Sequence, residues 1–230
     1  MGKRITRITM QIPNSMTLFN VAVGVAAIML ALSGEYQKSA GLILVSVIVD
    51  SFDGYVARML QSTSKFGGYM DTVSDFLSFA VAAAILLTRV YDVSLWFAGF
   101  FVVASVARLL YFMKTKNTTH FYGVPTTAAG GLLAAIIIIN PRTASHVEDT
   151  VLMSAVTVIL SLLMLTKKRY YRLGIRKRKT LTFVIAVFMT LFAVNFSLFM
   201  WLMLLLFIGY IALGWVRQIM RRGVDELIPE

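Results

Sequence analysis

Four aspartates, Asp50, Asp53, Asp71 and Asp75, stand within the 26 residues DSFDGYVARMLQSTSKFGGYMDTVSD. On a helix, Asp50, Asp53, Gly54, Ala57 and Arg58 fall at i, i+3, i+4, i+7 and i+8 and share one face. Beyond a short polar link, Gly67, Asp71 and Asp75 fall at i, i+4 and i+8 on a second. Two helices packed through the Gly and Ala positions would bring the four carboxylates together. Clustered carboxylates repel one another at neutral pH and call for cations, and hard oxygen ligands suit Mg²⁺ or Mn²⁺. A pair of divalent ions could neutralise a pyrophosphate and polarise a phosphorus under attack. Asp50, Asp53 and Asp71 read as ligands. Asp75, one turn deeper, could share a metal and take the proton of an attacking hydroxyl. Arg58 suits an anionic pyrophosphate by charge and by the fork geometry of its guanidinium. Gly54 and Ala57 either let two helices pack closely or leave a slot for a cytosine ring or ribose.

The elements that must carry these residues are membrane spans. The chain has 230 residues, of which 58% are apolar, and a mean hydropathy of +0.78. Such a composition marks an integral membrane protein of the all-α class, a polytopic helical bundle forming one domain over residues 1–230. Residues 1–14 form a basic amphipathic entry in which Ile5, Ile8 and Ile12 could lie on lipid while Lys3, Arg4 and Arg7 meet phosphates. Spans are expected at about 15–33, 40–59, 68–88, 93–113, 123–140, 150–166, 180–195 and 197–216, followed by a tail over 217–230. The last two spans could instead be one broken segment, so the expected count is about eight. Asp50 follows the apolar run LILVSVIV, where an ionised group is expensive and therefore expected to serve a function. Asn14, Thr17 and Asn20 make a polar stripe at the start of the first span. With no cysteine, the chain has neither disulfides nor thiolate chemistry. His120 and His146 lack metal-ligand spacing and read as loop residues.

The net charge is +11. In a soluble protein that balance would suggest nucleic acid as a partner; here the basic residues lie between apolar spans, and membrane lipids take that place. If the chain starts inside, 18 of the 22 Lys and Arg fall in inside segments, only Lys38, Arg89 and Arg142 outside, and Arg108 within the fourth span. The bias puts both termini and the aspartate stretch on the cytoplasmic side of the plasma membrane. The densest basic run, TKKRYYRLGIRKRKT, is a topology determinant or an attractor of anionic headgroups and nucleotide.

The stretch follows D-x-x-D-G-x-x-A-R-x8-G-x-x-x-D-x-x-x-D throughout. That pattern resembles the signature of the CDP-alcohol phosphatidyltransferases, integral membrane enzymes of phospholipid synthesis. The resemblance implies a CDP-activated lipid as donor, CMP as leaving group, two divalent ions held by Asp50, Asp53, Asp71 and Asp75, and Asp75 as the base. It further implies CDP-lipid contacts from Asn14, Thr17, Gly54, Ala57, Arg58 and Gly67, and it suggests a homodimer.

Two further pairings of segments bear on the acceptor. PNSMTLFN with STSKFGGYMDTVSDFLSFAVA, and SVARLLYF followed by HFYGVPTTAAGG, look most like the serine-transferring branch of this family and its archaeal ether-lipid counterparts. Serine as acceptor brings a carboxylate that a membrane site must bind. Arg108, about one turn inside its helix, needs an anionic partner, which could be that carboxylate or an aspartate of the site. Thr126, in the segment Gly123 to Thr127, offers free backbone N–H groups to an anion or simply opens a helix. Glycerol 3-phosphate or inositol phosphate are the alternative acceptors, and both would demand more basic residues. A divalent-cation transporter is a third reading; Arg58 would repel its cargo.

Overall fold

The structure is a computed structural model that describes residues 2–59, 65–114, 121–140, 147–166 and 169–170, with single helical residues at Leu205 and Gly209. For residues 2–14, 54–59, 65, 121–122 and 169–170 it describes the backbone alone. The described residues form helices α1 (Gly2–Leu32), α2 (Tyr36–Met59), α3 (Lys65–Asp75), α4 (Ala82–Val90), α5 (Leu95–Lys114), α6 (Thr126–Ile139) and α7 (Val147–Leu165). A π-helical turn, Phe76–Val81, joins α3 to α4, so the three pieces make one continuous rod. Strands β1 (Phe121–Tyr122) and β2 (Arg169–Tyr170), two residues each, pair antiparallel with Phe121 opposite Tyr170.

Six of the expected spans thus coincide with helical rods. The expected seventh span, the eighth apart from Leu205 and Gly209, and most of the basic run, as well as His120 and His146, lie outside the described residues. Among those described, four helices are long and apolar enough to cross a membrane: Ser15–Leu32, Phe66–Val90, Leu95–Lys114 and Val147–Leu165. The chain is therefore an integral membrane protein.

Two boundaries differ from expectation. The α1 backbone is helical from Gly2 through Pro13, so the basic N-terminal residues run continuously into the first span. The fifth expected span becomes α6, which starts at Thr126 rather than 123. Gly123 has φ +71 and Pro125 has ψ 142, both outside helical geometry, so the chain cannot turn helical before the proline has passed. Gly34, at φ +87, ends α1 in the left-handed cap that glycine takes without strain, and Glu35 N–H bonds back to Leu30 O at 2.9 Å.

The core lies where α1, α2, α4 and α6 meet. Ala27, Ile43, Leu86, Leu133 and Ile137 are almost wholly buried there. Alanine recurs among the core residues, as suits helices that associate in lipid through close packing rather than through a hydrophobic drive. At Gly130 of α6 an added Cβ would lie 2.7 Å from both Cβ and O of Phe79. The helix and the π turn meet there backbone to backbone. Large apolar side chains such as Met29, Trp96, Val103 and Ile159 point outward, as expected of lipid-facing surfaces.

Candidate active site

Asp50 and Asp53 lie in the second half of α2, and Asp71 and Asp75 in α3. Asp50, Asp53 and Asp71 each offer a carboxylate oxygen within 4.8 Å of the other two. Asp53 is buried, 4% exposed, and Asp50 and Asp71 are half-buried. Asp75 stands one turn further along α3 and lies outside that trio. It interacts repulsively with Asp50 and Asp71 and attractively with Arg108. Its Oδ1 is buried and has no hydrogen-bond partner among the described residues.

Two unit charges at this separation repel by roughly 3–4 kcal/mol at an effective dielectric constant near 20. Three such pairs would consume most of a typical folding free energy of about 5–15 kcal/mol. The donor set therefore fits hard divalent cations, which turn the repulsion into coordination.

Helix α1 meets this cluster from the side. Thr17, buried, donates from Oγ1 to Asp53 Oδ2 at 3.4 Å. One turn along α1, Asn20 is fully buried and its Oδ1 accepts from Ser46 Oγ. Asn14 lies in α1, and Gly54, Ala57 and Arg58 continue the backbone of α2, but their side chains fall outside the description. Gly67 sits in the first turn of α3, half-buried.

Arg108 approaches from α5. Its side chain is only 8% exposed; Nη1 donates to Thr126 Oγ1 at 3.0 Å, and the guanidinium carbon lies 5.6 Å from the Phe112 ring centroid. The hydroxyl that receives it is fully buried at the first residue of α6. Arg108 also interacts electrostatically with Asp50. Sequence reasoning singled out Arg108 and Thr126 separately, and folding brings them into contact. What it missed is a set of buried serines. Ser46 and Ser78 are fully buried with their oxygens 2.8 Å apart, and Ser74 is buried beside Asp75. Spacing could have found them: Ser46 precedes Asp50 by four residues, and Ser78 follows Asp75 by three.

The CDP-alcohol phosphatidyltransferase family model matches residues 10–164, from α1 through nearly all of α7. This chain belongs to that family. The match spans every aspartate of the cluster, together with Thr17, Arg108 and Thr126. Among relatives of this phosphatidyltransferase, a protein of Methanocaldococcus jannaschii named CDP-diacylglycerol–serine O-phosphatidyltransferase is 29% identical over 208 residues, which are 90% of this chain and 94% of that protein. A protein of Helicobacter pylori with the same name is 32% identical over 125 residues, 50% of this chain and 52% of the relative. An archaetidylserine synthase of Methanothermobacter thermautotrophicus is 37% identical over 87 residues, 37% of either chain. As a CDP-alcohol phosphatidyltransferase, the protein takes a CDP-activated lipid as donor and an alcohol as acceptor. The family depends on divalent metal, and the carboxylate trio is the group whose donors fit it.

Proposed function

We propose that this enzyme transfers the phosphatidyl or archaetidyl group of a CDP-activated lipid to the hydroxyl of L-serine, releasing CMP. The observation that carries the serine assignment is the Arg108–Thr126 pair, a buried guanidinium and hydroxyl 3.0 Å apart beside the aspartates. A carboxylate entering that corner would find a charged donor whose direction is already set by Thr126 and Phe112. The names of the relatives support the same acceptor.

The roles follow from the chemistry of each side chain. Asp50, Asp53 and Asp71 would hold the metal, and Asp75 could share it. Two divalent ions, Mg²⁺ or Mn²⁺, supply neutralisation of the pyrophosphate and polarisation of the phosphorus under attack. Thr17 orients Asp53 through its hydroxyl. Asn14, Gly54, Ala57, Arg58 and Gly67 are assigned to the CDP moiety, where small residues admit the nucleotide and the guanidinium pairs with phosphate. Asp75 accepts the proton of the serine hydroxyl. The hydroxyl oxygen then bonds to the phosphorus that bears the lipid, the bond from that phosphorus to the bridging oxygen breaks, and CMP departs with the electron pair. Arg108 and Thr126 hold the serine carboxylate so that the hydroxyl is presented to the phosphorus. The site faces the cytoplasm, in the plasma membrane, and a second copy of the chain is the proposed partner. The excess of Lys and Arg on one side of the spans supports that orientation.

The test is CMP release by the purified chain supplied with a CDP-lipid and a panel of alcohols. L-Serine is expected to support release, chelation to abolish it, and Mg²⁺ or Mn²⁺ to restore it. Release with glycerol 3-phosphate and none with serine would overturn the acceptor; full activity in excess chelator would overturn the metal.

A further inference from the structure

One turn below the carboxylates lies a buried polar network that the transfer chemistry leaves unused. Asn20 of α1, Ser46 of α2 and Ser78 of the π turn are each fully buried. Ser46 Oγ donates to Asn20 Oδ1 and sits 2.8 Å from Ser78 Oγ. With the Ser46 proton committed to Asn20, Ser78 is the donor of the second bond. Three separate rods therefore share one chain of hydrogen bonds. Each member is about a turn from the site: Asn20 follows Thr17 by three residues, Ser46 precedes Asp50 by four, and Ser78 follows Asp75 by three.

The π turn is also gripped from two sides. A Cβ on Gly24 of α1 would fall 2.5 Å from Ser78 Oγ. On the α6 side, a Cβ on Gly130 would meet the Phe79 backbone. Within the turn, Ala82 N–H bonds to Leu77 O, five residues back. Such a turn absorbs an extra residue relative to an α-helix. It thereby sets the phase between the Asp71 and Asp75 stripe on one side and the buried stripe of Phe79, Ala83, Leu86 and Leu87 on the other.

We infer that Asn20, Ser46 and Ser78 are positioning residues: their hydrogen-bond chain locks the rotation of α1, α2 and the π turn so that carboxylates from α2 and α3 converge on the metal. A hydroxyl or amide inside an apolar bundle has no bulk water to turn to. Rotating any one of these rods by a single residue, about 100°, would leave buried polar groups unpaired. The Asn20–Ser46 and Ser46–Ser78 bonds therefore form in one register, in which Asn20 Nδ2 has no hydrogen-bond partner among the described residues. Fixing a register is the best-attested use of buried polar groups. The inference rests on the metal role proposed above for Asp50, Asp53 and Asp71.

The experiment reads metal binding rather than turnover. Mn²⁺ is titrated into the full-length chain in detergent, and free Mn²⁺ is followed by electron paramagnetic resonance. Asn20→Ala and Ser78→Ala are each expected to weaken Mn²⁺ binding about 10-fold, the scale of losses when groups that orient ligands are removed. Ser46→Ala carries the same expectation, so loss of one variant to misfolding leaves two readings. The Ser46→Ala, Ser78→Ala double variant is expected to bind no worse than either single one, because all break one chain. Thr157→Ala is the control: Thr157 is fully buried on α7 and bonds Met153 O within its own helix, so Mn²⁺ binding is expected to stay at the parent level. Unchanged Mn²⁺ affinity in the folded network variants, or an equal loss in Thr157→Ala, would overturn the lock. Asp50→Asn separates the two levels. If it abolishes binding while the network variants keep theirs, the lock alone is wrong; if it binds Mn²⁺ as the parent does, the metal reading fails and the lock falls with it.

Discussion

Arg108 carries a permanent charge on a side chain that is 8% exposed, inside an otherwise apolar helix. Such a charge persists in a bundle only when it is paired and oriented. Thr126 supplies the orientation, Phe112 a face for the cation, and the aspartates an opposing field. If the guanidinium holds the acceptor carboxylate, Arg108→Ala should cut kcat/KM for serine while CDP-lipid affinity stays near its parent value. Loss of one charge-assisted contact corresponds to roughly 1.5–3 kcal/mol, or about 10- to 150-fold. Arg108→Lys should recover part of this, since an ammonium cannot reproduce the planar fork. Donor affinity and acceptor kinetics on both variants decide the matter. A variant that loses CDP-lipid binding but keeps its serine KM would move Arg108 to the donor side.

At the scale of elements, the rod from Lys65 to Val90 does two jobs that a plain α-helix would set in conflict. Its first part must turn Asp71 and Asp75 towards α2, and its last part must bury Leu86, Leu87 and Val90 in the core. The π turn between them adjusts the phase, and it can sit flush against α6 only because residue 130 has no side chain. Gly130→Ala should therefore destabilise the protein by about 1–3 kcal/mol, the usual cost of overpacking. Gly99 on α5 provides the contrast, since nothing among the described residues lies within 4 Å of a Cβ built there. Gly99→Ala should be neutral or stabilising by up to about 1 kcal/mol through helix propensity. Thermal unfolding of both variants in detergent compares them; equal melting temperatures would refute the close approach of α6 to the π turn.

For the whole molecule, five helices, α1, α2, α3, α5 and α6, contribute side chains to one level of the bundle. Thr17, the aspartates, Arg108 and Thr126 all belong to that level. In the orientation proposed above, that level faces the cytoplasm. A chain without cysteine allows this to be read directly. A cysteine at Lys114, exposed at the end of α5, should react with an impermeant maleimide only from the cytoplasmic side. One at Glu35, exposed in the α1–α2 link, should react only from the opposite side. The reverse pattern would invert the orientation and carry the active site with it.

Much of this was legible in the residues themselves. The four aspartates at helical spacing, the apolar spans around them and the glycine and alanine positions are one-dimensional signals, because helix geometry converts spacing into a shared face. An intramembrane arginine marks itself by its cost. Other features needed the folded chain. No spacing pairs Arg108 with Thr126, since their contact depends on how α5 and α6 cross. The convergence of Asp50, Asp53 and Asp71, with Asp75 one turn aside, depends on the relative rotation of α2 and α3. The π turn leaves no mark in hydropathy, because an apolar segment reads the same whether its bonds run to the fourth or the fifth residue. Ser46 and Ser78 look like ordinary small residues of a span until packing places their hydroxyls together. Spacing along one helix is decided by its own backbone, whereas contacts between helices are decided by close packing and by which buried polar groups can be satisfied at once.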